Sequence, residues 1–86
     1  MAQVTIYTTR FCPYCMSAKA LLKKKGVEFQ EIAVDGVREL RRSMALRAEG
    51  RSSVPQIFID GVPVGGSDEL HDLEAAGRLD RMLATS

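Results

Sequence analysis

The 86-residue sequence predicts an α/β fold: a four-stranded mixed β-sheet flanked by helices, in the order β-α-β-α-β-β-α-α. Three observations lead there. Short stretches with two-residue apolar alternation exchange with stretches of three- and four-residue spacing, the signatures of strands and amphipathic helices. The first helical stretch lies between two strand-like ones and is long enough for a βαβ crossover. Near the other end, Asp60-Gly61 separates two apolar runs, a strong short signal for a hairpin. Two strands from a crossover and two from a hairpin make a mixed sheet with helices on its faces. Eighty-six residues suffice for one such core, so residues 1–86 are read as a single domain.

Each element has its own reason. Gln3 to Tyr7 alternates Val4 and Ile6 with polar neighbours and reads as a strand. A helix begins at Pro13, carries Ala18, Leu21 and Leu22 on one face, and ends with Lys23, Lys24 and Lys25 before Gly26. Cations suit the negative end of a helix dipole and glycine stops the helix. Val27 to Val34 is the second strand. Asp35-Gly36 turns into a second helix, with Val37, Leu40 and Met44 on one face and Arg38, Arg41 and Arg42 mostly off it. Gly50 to Ser53 is a loop, Val54 to Ile59 the third strand, and Val62-Pro63-Val64 its hairpin partner, closed by Gly65-Gly66. Ser67 is the expected cap of a third helix, with Asp68 and Glu69 in the first turn and Leu70 and Leu73 inward. Gly77 breaks that helix, leaving Leu79, Met82 and Leu83 on a short terminal one. Disorder is expected only from Ala84 to Ser86.

Composition narrows the function classes. With 45% hydrophobic and 27% charged residues, the chain is an ordinary globular protein. Its net charge of +1 argues against nucleic acid as the main partner, which requires a concentrated positive face. The charge is nonetheless uneven: residues 1–51 sum to +5 and residues 52–86 to −4, which leaves room for a small anionic ligand along the basic half. The amino-terminal MAQVTIY lacks the features of a secretion signal, and no apolar run reaches the length of a membrane span. These features predict a cytoplasmic protein without membrane association.

Both cysteines lie in one motif, CPYC, at Cys12 to Cys15. In a cytosolic protein such a pair is more often catalytic or metal-binding than a structural bridge, and a bridge closing so short a loop restrains little of the unfolded chain. Placement adds more than spacing. Pro13 fits the first helical position, because its missing N–H would have had no partner there. Cys12 is then the N-cap residue, facing free N–H groups and the positive end of the dipole, an environment that favours a thiolate. Cys15, three residues on, lies on the same side within disulfide reach and one turn further in. Cys12 is accordingly the candidate nucleophile and Cys15 the resolving thiol. Ligand count argues against zinc held by one chain, since His71 is the only histidine and no second cysteine pair exists. A metal shared between two chains stays open. His71 itself reads as an exposed helical residue.

With these residues in place the sequence resembles the glutaredoxin family, specifically its small bacterial dithiol members, over nearly the whole chain. Three motifs carry the likeness: CPYC; Ser53-Val54-Pro55, where the family usually has Thr-Val-Pro; and Gly65-Gly66-Ser67-Asp68, where it has Gly-Gly followed by Cys or Ser and Asp. The resemblance implies a thioredoxin fold, glutathione as reducing co-substrate with no metal, and reduction of protein disulfides and glutathionylated proteins by a monomer. It implies that Pro55 is a cis-proline bringing the Val54 backbone beside the reactive sulfur. It further implies that Gly66, Ser67 and Asp68 hold the γ-glutamyl end of glutathione through helix N–H groups and the Asp68 carboxylate, with Tyr14 packing on the ligand. Relatives often carry lysine a few residues before the first cysteine, where this chain has Thr9 and Arg10. The glycyl carboxylate therefore falls to Arg10 or to a basic residue of the second helix such as Arg42. Two other readings accompany this one: a thioredoxin-like donor recycled by a reductase protein, and an iron–sulfur carrier in which Cys12 of two chains and two glutathiones hold a cluster.

Overall fold

A computed structural model describes residues 2–84 and has the expected element order: β1 (Val4–Thr8), α1 (Pro13–Lys24), β2 (Phe29–Ala33), α2 (Arg38–Arg47), β3 (Gln56–Ile59), β4 (Val62–Gly65), α3 (Ser67–Ala75) and α4 (Leu79–Ala84). The strands lie in the order β2-β1-β3-β4, with β1 parallel to β2 and antiparallel to β3, and with β3 and β4 forming the hairpin. This is the mixed sheet of a thioredoxin fold. At the hairpin tip Asp60 and Gly61 have φ of 52° and 79°, the left-handed pair that an Asp-Gly turn supplies. Pro63 is tolerated because β4 is an edge strand, where no further ladder needs its missing N–H.

Strand alternation divides the sheet between two cores. Val4 and Ile6 of β1 and Ile57 and Ile59 of β3 point to one face, where Ala18, Leu21 and Leu22 of α1, Leu70 of α3 and Leu79 and Leu83 of α4 cover them. Tyr7 and Phe58 point to the other face and meet Met44 and Ala48, their rings edge-on with centroids 5.6 Å apart. That second core is thin. Val37 and Leu40, on the same face of α2 as Met44, remain exposed, and Met44 is the helix's one buried residue.

Helices α1 and α3 pack side by side. At their C-terminal ends Lys25, just past α1, bonds through Nζ to Glu74 of α3 and Asp80 of α4, each at 2.7 Å. The opposite ends therefore come together on the side of the molecule that carries the cysteines.

Several boundaries differ from the sequence reading. β3 starts at Gln56 rather than Val54, and the Val54–Pro55 peptide before it is cis. β2 spans Phe29–Ala33, shorter at both ends than expected. Ser67 is not the N-cap of α3 but its first helical residue; Gly66 is the cap, and the Glu69 side chain reaches back to the Gly66 N–H at 2.6 Å. The Glu69 carboxylate, three residues in, supplies only the reach-back half of a capping box, satisfying the N–H of the cap residue itself. Ala84, expected in a disordered tail, is the last residue of α4, whereas residues 85–86 lie outside the described residues. Among the described residues no helix is long and apolar enough to cross a membrane.

Candidate active site

The chain leaves β1 through Thr9 to Phe11 and enters α1 at Cys12. Cys12 is the N-cap as expected: its backbone is extended, its carbonyl accepts from the Met16 N–H at 3.0 Å, and its Sγ accepts from the Cys15 N–H at 3.1 Å. Sulfur thus stands where a serine or aspartate oxygen commonly stands, and the helix that it caps stabilises charge on it. The same Sγ lies 3.9 Å from the Val54 carbonyl, so the thiol faces the loop preceding β3. The two cysteines form a free dithiol.

Their surroundings differ. Cys12 is 8% exposed and Cys15 1%. Burial, and next the contact with the Cys12 sulfur, push the Cys15 thiol up to about 12. Cys15 is therefore a proton-holding thiol in the reduced protein, as a resolving group set behind an attacking one should be.

A groove of about 160 Å³ runs between the start of α1, the cis-proline loop and the start of α3. Six residues singled out from the sequence meet in it: Tyr14, Val54, Pro55, Gly66, Ser67 and Asp68. The loop is braced from below by buried Gln56, whose Nε2 donates to the Ser53 carbonyl at 2.9 Å. Gly65, with φ of 118°, makes room for the groove wall: a Cβ there would fall 2.7 Å from Glu69 Oε1 and 2.8 Å from Arg51 Nη1. Neither cysteine lines this groove itself; Cys12 adjoins it through Val54, whose carbonyl lies 3.9 Å from its Sγ.

Arg10 and Arg42 stand apart from this groove. The Arg10 N–H donates to Asp35 Oδ2 at 2.8 Å, and the residue borders a separate depression with Lys19 and Glu31. Arg42 is exposed on α2, while its neighbour Arg41 donates from Nε to the Ser52 carbonyl at 3.0 Å.

The cation in the groove is Arg51, which the sequence reading did not single out. Its Nη2 bonds to Glu69 Oε1 at 3.0 Å, and the Gly66 N–H and then Arg51 hold the Glu69 carboxyl below its usual range. The available signal was a lone arginine two residues before Ser53-Val54-Pro55, hidden in a loop without periodicity. His71 is exposed, and its Nδ1 lies 2.8 Å from the Ser67 carbonyl. A carbonyl only accepts, so Nδ1 carries the proton in that contact.

An N-capping thiol, a buried partner thiol and a cis-proline carbonyl beside them are an arrangement for thiol–disulfide exchange, and the comparisons agree. The sequence model of the family described as glutaredoxin matches residues 4–64. A glutaredoxin of Pseudomonas aeruginosa is 57% identical over 84 residues, covering 98% of this chain and 99% of its own. Among solved structures, a buckwheat glutaredoxin–glutathione complex superposes with a TM-score of 0.86 at 26% identity, covering 95% of this chain and 76% of that one. A structure described under metal binding of glutaredoxins is 54% identical with a TM-score of 0.74, covering 99% and 91%. This chain belongs to the glutaredoxin family, with small bacterial glutaredoxins among its relatives, and is a thiol–disulfide oxidoreductase.

Proposed function

We propose that the chain is a glutathione-dependent oxidoreductase that reduces protein disulfides and glutathionylated proteins in the cytoplasm, acting as a monomer. The observation that carries this reading is the asymmetry of the dithiol: Cys12 Sγ caps α1 and lies 3.9 Å from the carbonyl of Val54, a residue of the groove, whereas Cys15 is buried with its proton held. Cys12 thiolate attacks one sulfur of the substrate disulfide, forming a mixed disulfide and releasing the other sulfur as a thiolate that takes up a proton. Cys15 then gives up its proton and attacks Cys12 Sγ, releasing the substrate thiol and leaving a Cys12–Cys15 disulfide. Two glutathiones return the two electrons and two protons and depart as glutathione disulfide. For a glutathionylated substrate a second glutathione can resolve the intermediate in place of Cys15.

Support for glutathione comes from the groove and from the likeness to the buckwheat complex. We assign the γ-glutamyl carboxylate to the N–H groups of Ser67 and Asp68, beside the cation Arg51, and the γ-glutamyl ammonium to the Asp68 carboxylate. The Val54 backbone is assigned to pair with the extended peptide, the Gly66–Ser67 turn to admit it, and Pro55 and Tyr14 to pack on it. The glycyl carboxylate lies at the other end of the tripeptide, where the exposed arginines Arg10 and Arg42 are available, and Arg10→Gln and Arg42→Gln distinguish between them. The deciding experiment follows reduction of a cysteine–glutathione mixed disulfide with glutathione plus glutathione reductase, and separately with thioredoxin reductase. Turnover with the first system is expected; turnover with the second alone would make the chain a thioredoxin-like donor.

The structure described under metal binding favours testing a second reading, a metal- or cluster-carrying form. Among the described residues no group of three or more His, Cys, Asp or Glu is placed to hold a metal, so a site in this chain would draw ligands from a second copy or from glutathione. Anaerobic purification followed by visible absorption and iron analysis tests this, and a coloured dimer would establish it.

A further inference from the structure

In many helices the residue before the N-cap packs against the fourth helical residue, an apolar staple that fixes how the chain enters. With Cys12 as N-cap those positions in α1 are Phe11 and Met16, both apolar. The staple is open. Phe11 is 95% exposed, the highest value among the exposed large apolar side chains, and Met16 is 63% exposed. Neither lines the groove, so a ligand held between Tyr14, Pro55 and α3 does not cover them.

We propose that Phe11 and Met16 form a docking rim for polypeptide substrates, recognising a disulfide cysteine flanked by a large apolar side chain. Continuity with the reacting atom identifies the occupant. Cys12 is only 8% exposed, so the substrate sulfur must approach closely, and residues beside the substrate cysteine then pass over the residues beside Cys12. One neighbour is Phe11, directly bonded in the chain; Met16 lies one turn along the same helix. Small disulfides lack flanking residues to reach the rim. Charge adds a preference. The first 27 residues contain no Asp or Glu, and Arg10 next to Phe11 is exposed, so an acidic residue near the substrate cysteine is favoured over a basic one.

This proposal rests on Cys12 as the attacking sulfur but not on glutathione as the reductant, and the experiment keeps the two apart. Prereduced protein is mixed, without glutathione, with three disulfides: a dimer of a peptide reading Asp-Leu-Cys-Phe-Ser, a dimer of Asp-Ser-Cys-Ser-Ser, and cystine. Released thiol is measured after acid quench in a single turnover. The unchanged chain should reduce the apolar-flanked dimer about ten-fold faster than the serine-flanked one, a difference of about 1.4 kcal/mol. The double variant Phe11→Ser, Met16→Ser should bring the first rate down to the second and leave cystine within two-fold. Equal losses on all three disulfides would mean that the substitutions damage the start of α1, and an unchanged rate on the apolar dimer would mean that the rim binds nothing; either result overturns the proposal. Glutathione takes no part in this single turnover, so a chain that fails to turn over with glutathione would still show or lack the rim preference.

Discussion

Two helix N-termini face the same groove, and they are capped differently. At α1 the cap is the sulfur of Cys12, the N-cap residue itself, held by one N–H and otherwise close to the Val54 carbonyl. At α3 the cap is the carboxylate of Glu69, which reaches back to the Gly66 N–H and is also gripped by Arg51. Both ends supply the same electrostatic help to an anion. At α1 the capping atom is a sulfur, which can itself attack a disulfide, so the terminus is suited to chemistry. At α3 it is inert and tied on two sides, which leaves the N–H groups of Ser67 and Asp68 for the γ-glutamyl carboxylate in the function proposed above. In that proposal identical backbone physics serves reaction in one place and recognition in the other, according to which atom does the capping.

The sharpest way to break this contrast is to replace the reactive cap. Cys12→Ser keeps an N-capping atom yet should abolish exchange with every substrate, read as thiol release. Cys15→Ser should lose reduction of peptide disulfides while keeping deglutathionylation, because glutathione can resolve that intermediate. Equal loss of deglutathionylation in both variants would remove the division of labour between the two thiols.

The next effect is one of stability with pH. Burial raises the folded Cys15 thiol to about 12, so the folded state holds a proton that the unfolded chain loses near 9.0. The stability contributed by this thiol is fully present below about pH 9 and is lost as pH rises toward 12, at up to about 1.4 kcal/mol per unit. Denaturant midpoints of the reduced protein should fall across that window, whereas those of the oxidised protein, with no Cys15 proton to lose, should not show this component. At neutral pH iodoacetamide should label Cys12 and spare Cys15.

Asp68→Ala tests recognition at α3. Loss of its charge-assisted contact should raise the glutathione concentration needed for half-maximal rate about ten-fold, or about 1.4 kcal/mol. Single-turnover reduction of cystine should stay nearly unchanged. An equal fall in both would make Asp68 a structural residue of the helix start.

The smallest effect belongs to the inert cap. Because the Gly66 N–H, and after it Arg51, lower the Glu69 carboxyl, the stability it contributes is present above the ordinary carboxylate value of about 4.3 and is lost as pH falls through the lower folded value. Glu69→Gln should cost less than about 1 kcal/mol at pH 7, since the ion pair is exposed. The gap between variant and parent in thermal midpoint should close in acid. A gap that persists at pH 2 would assign the loss to packing rather than charge.

The sequence made the chemistry of α1 legible because three constraints fell on neighbouring residues: Pro13 fixes the first helical position, that makes Cys12 the cap, and spacing places Cys15 one turn inside. At α3 the same reasoning chose the nearest good capping residue, Ser67, and missed by one. Glu69 won because its longer side chain reaches Gly66 and because Arg51, remote in sequence, reinforces it; only the folded chain brings that arginine over. The apolar face of α2 was also visible in Val37, Leu40 and Met44, yet periodicity reports a shared face and not how far the sheet extends beneath it. Only Met44 finds the Tyr7–Phe58 surface. The groove itself, assembled from residues 14, 51, 53–55 and 66–69, was reachable from sequence only through resemblance.

The ties of Lys25 to Glu74 and Asp80 have a consequence at the far end of the molecule. By fastening α1 to α3 and α4 where α1 and α3 finish, they hold two helices parallel, so that the fields of two backbones add instead of cancelling. Each helix start carries roughly half a positive elementary charge, and both starts border one groove, while the negative finish of α1 is met by the ammonium of Lys25. A chain with a net charge of only +1 therefore behaves, to an approaching anion, as a small directed electrode. Capture of anionic thiols should slow as added salt shortens the reach of that field, which is about 8 Å at physiological ionic strength.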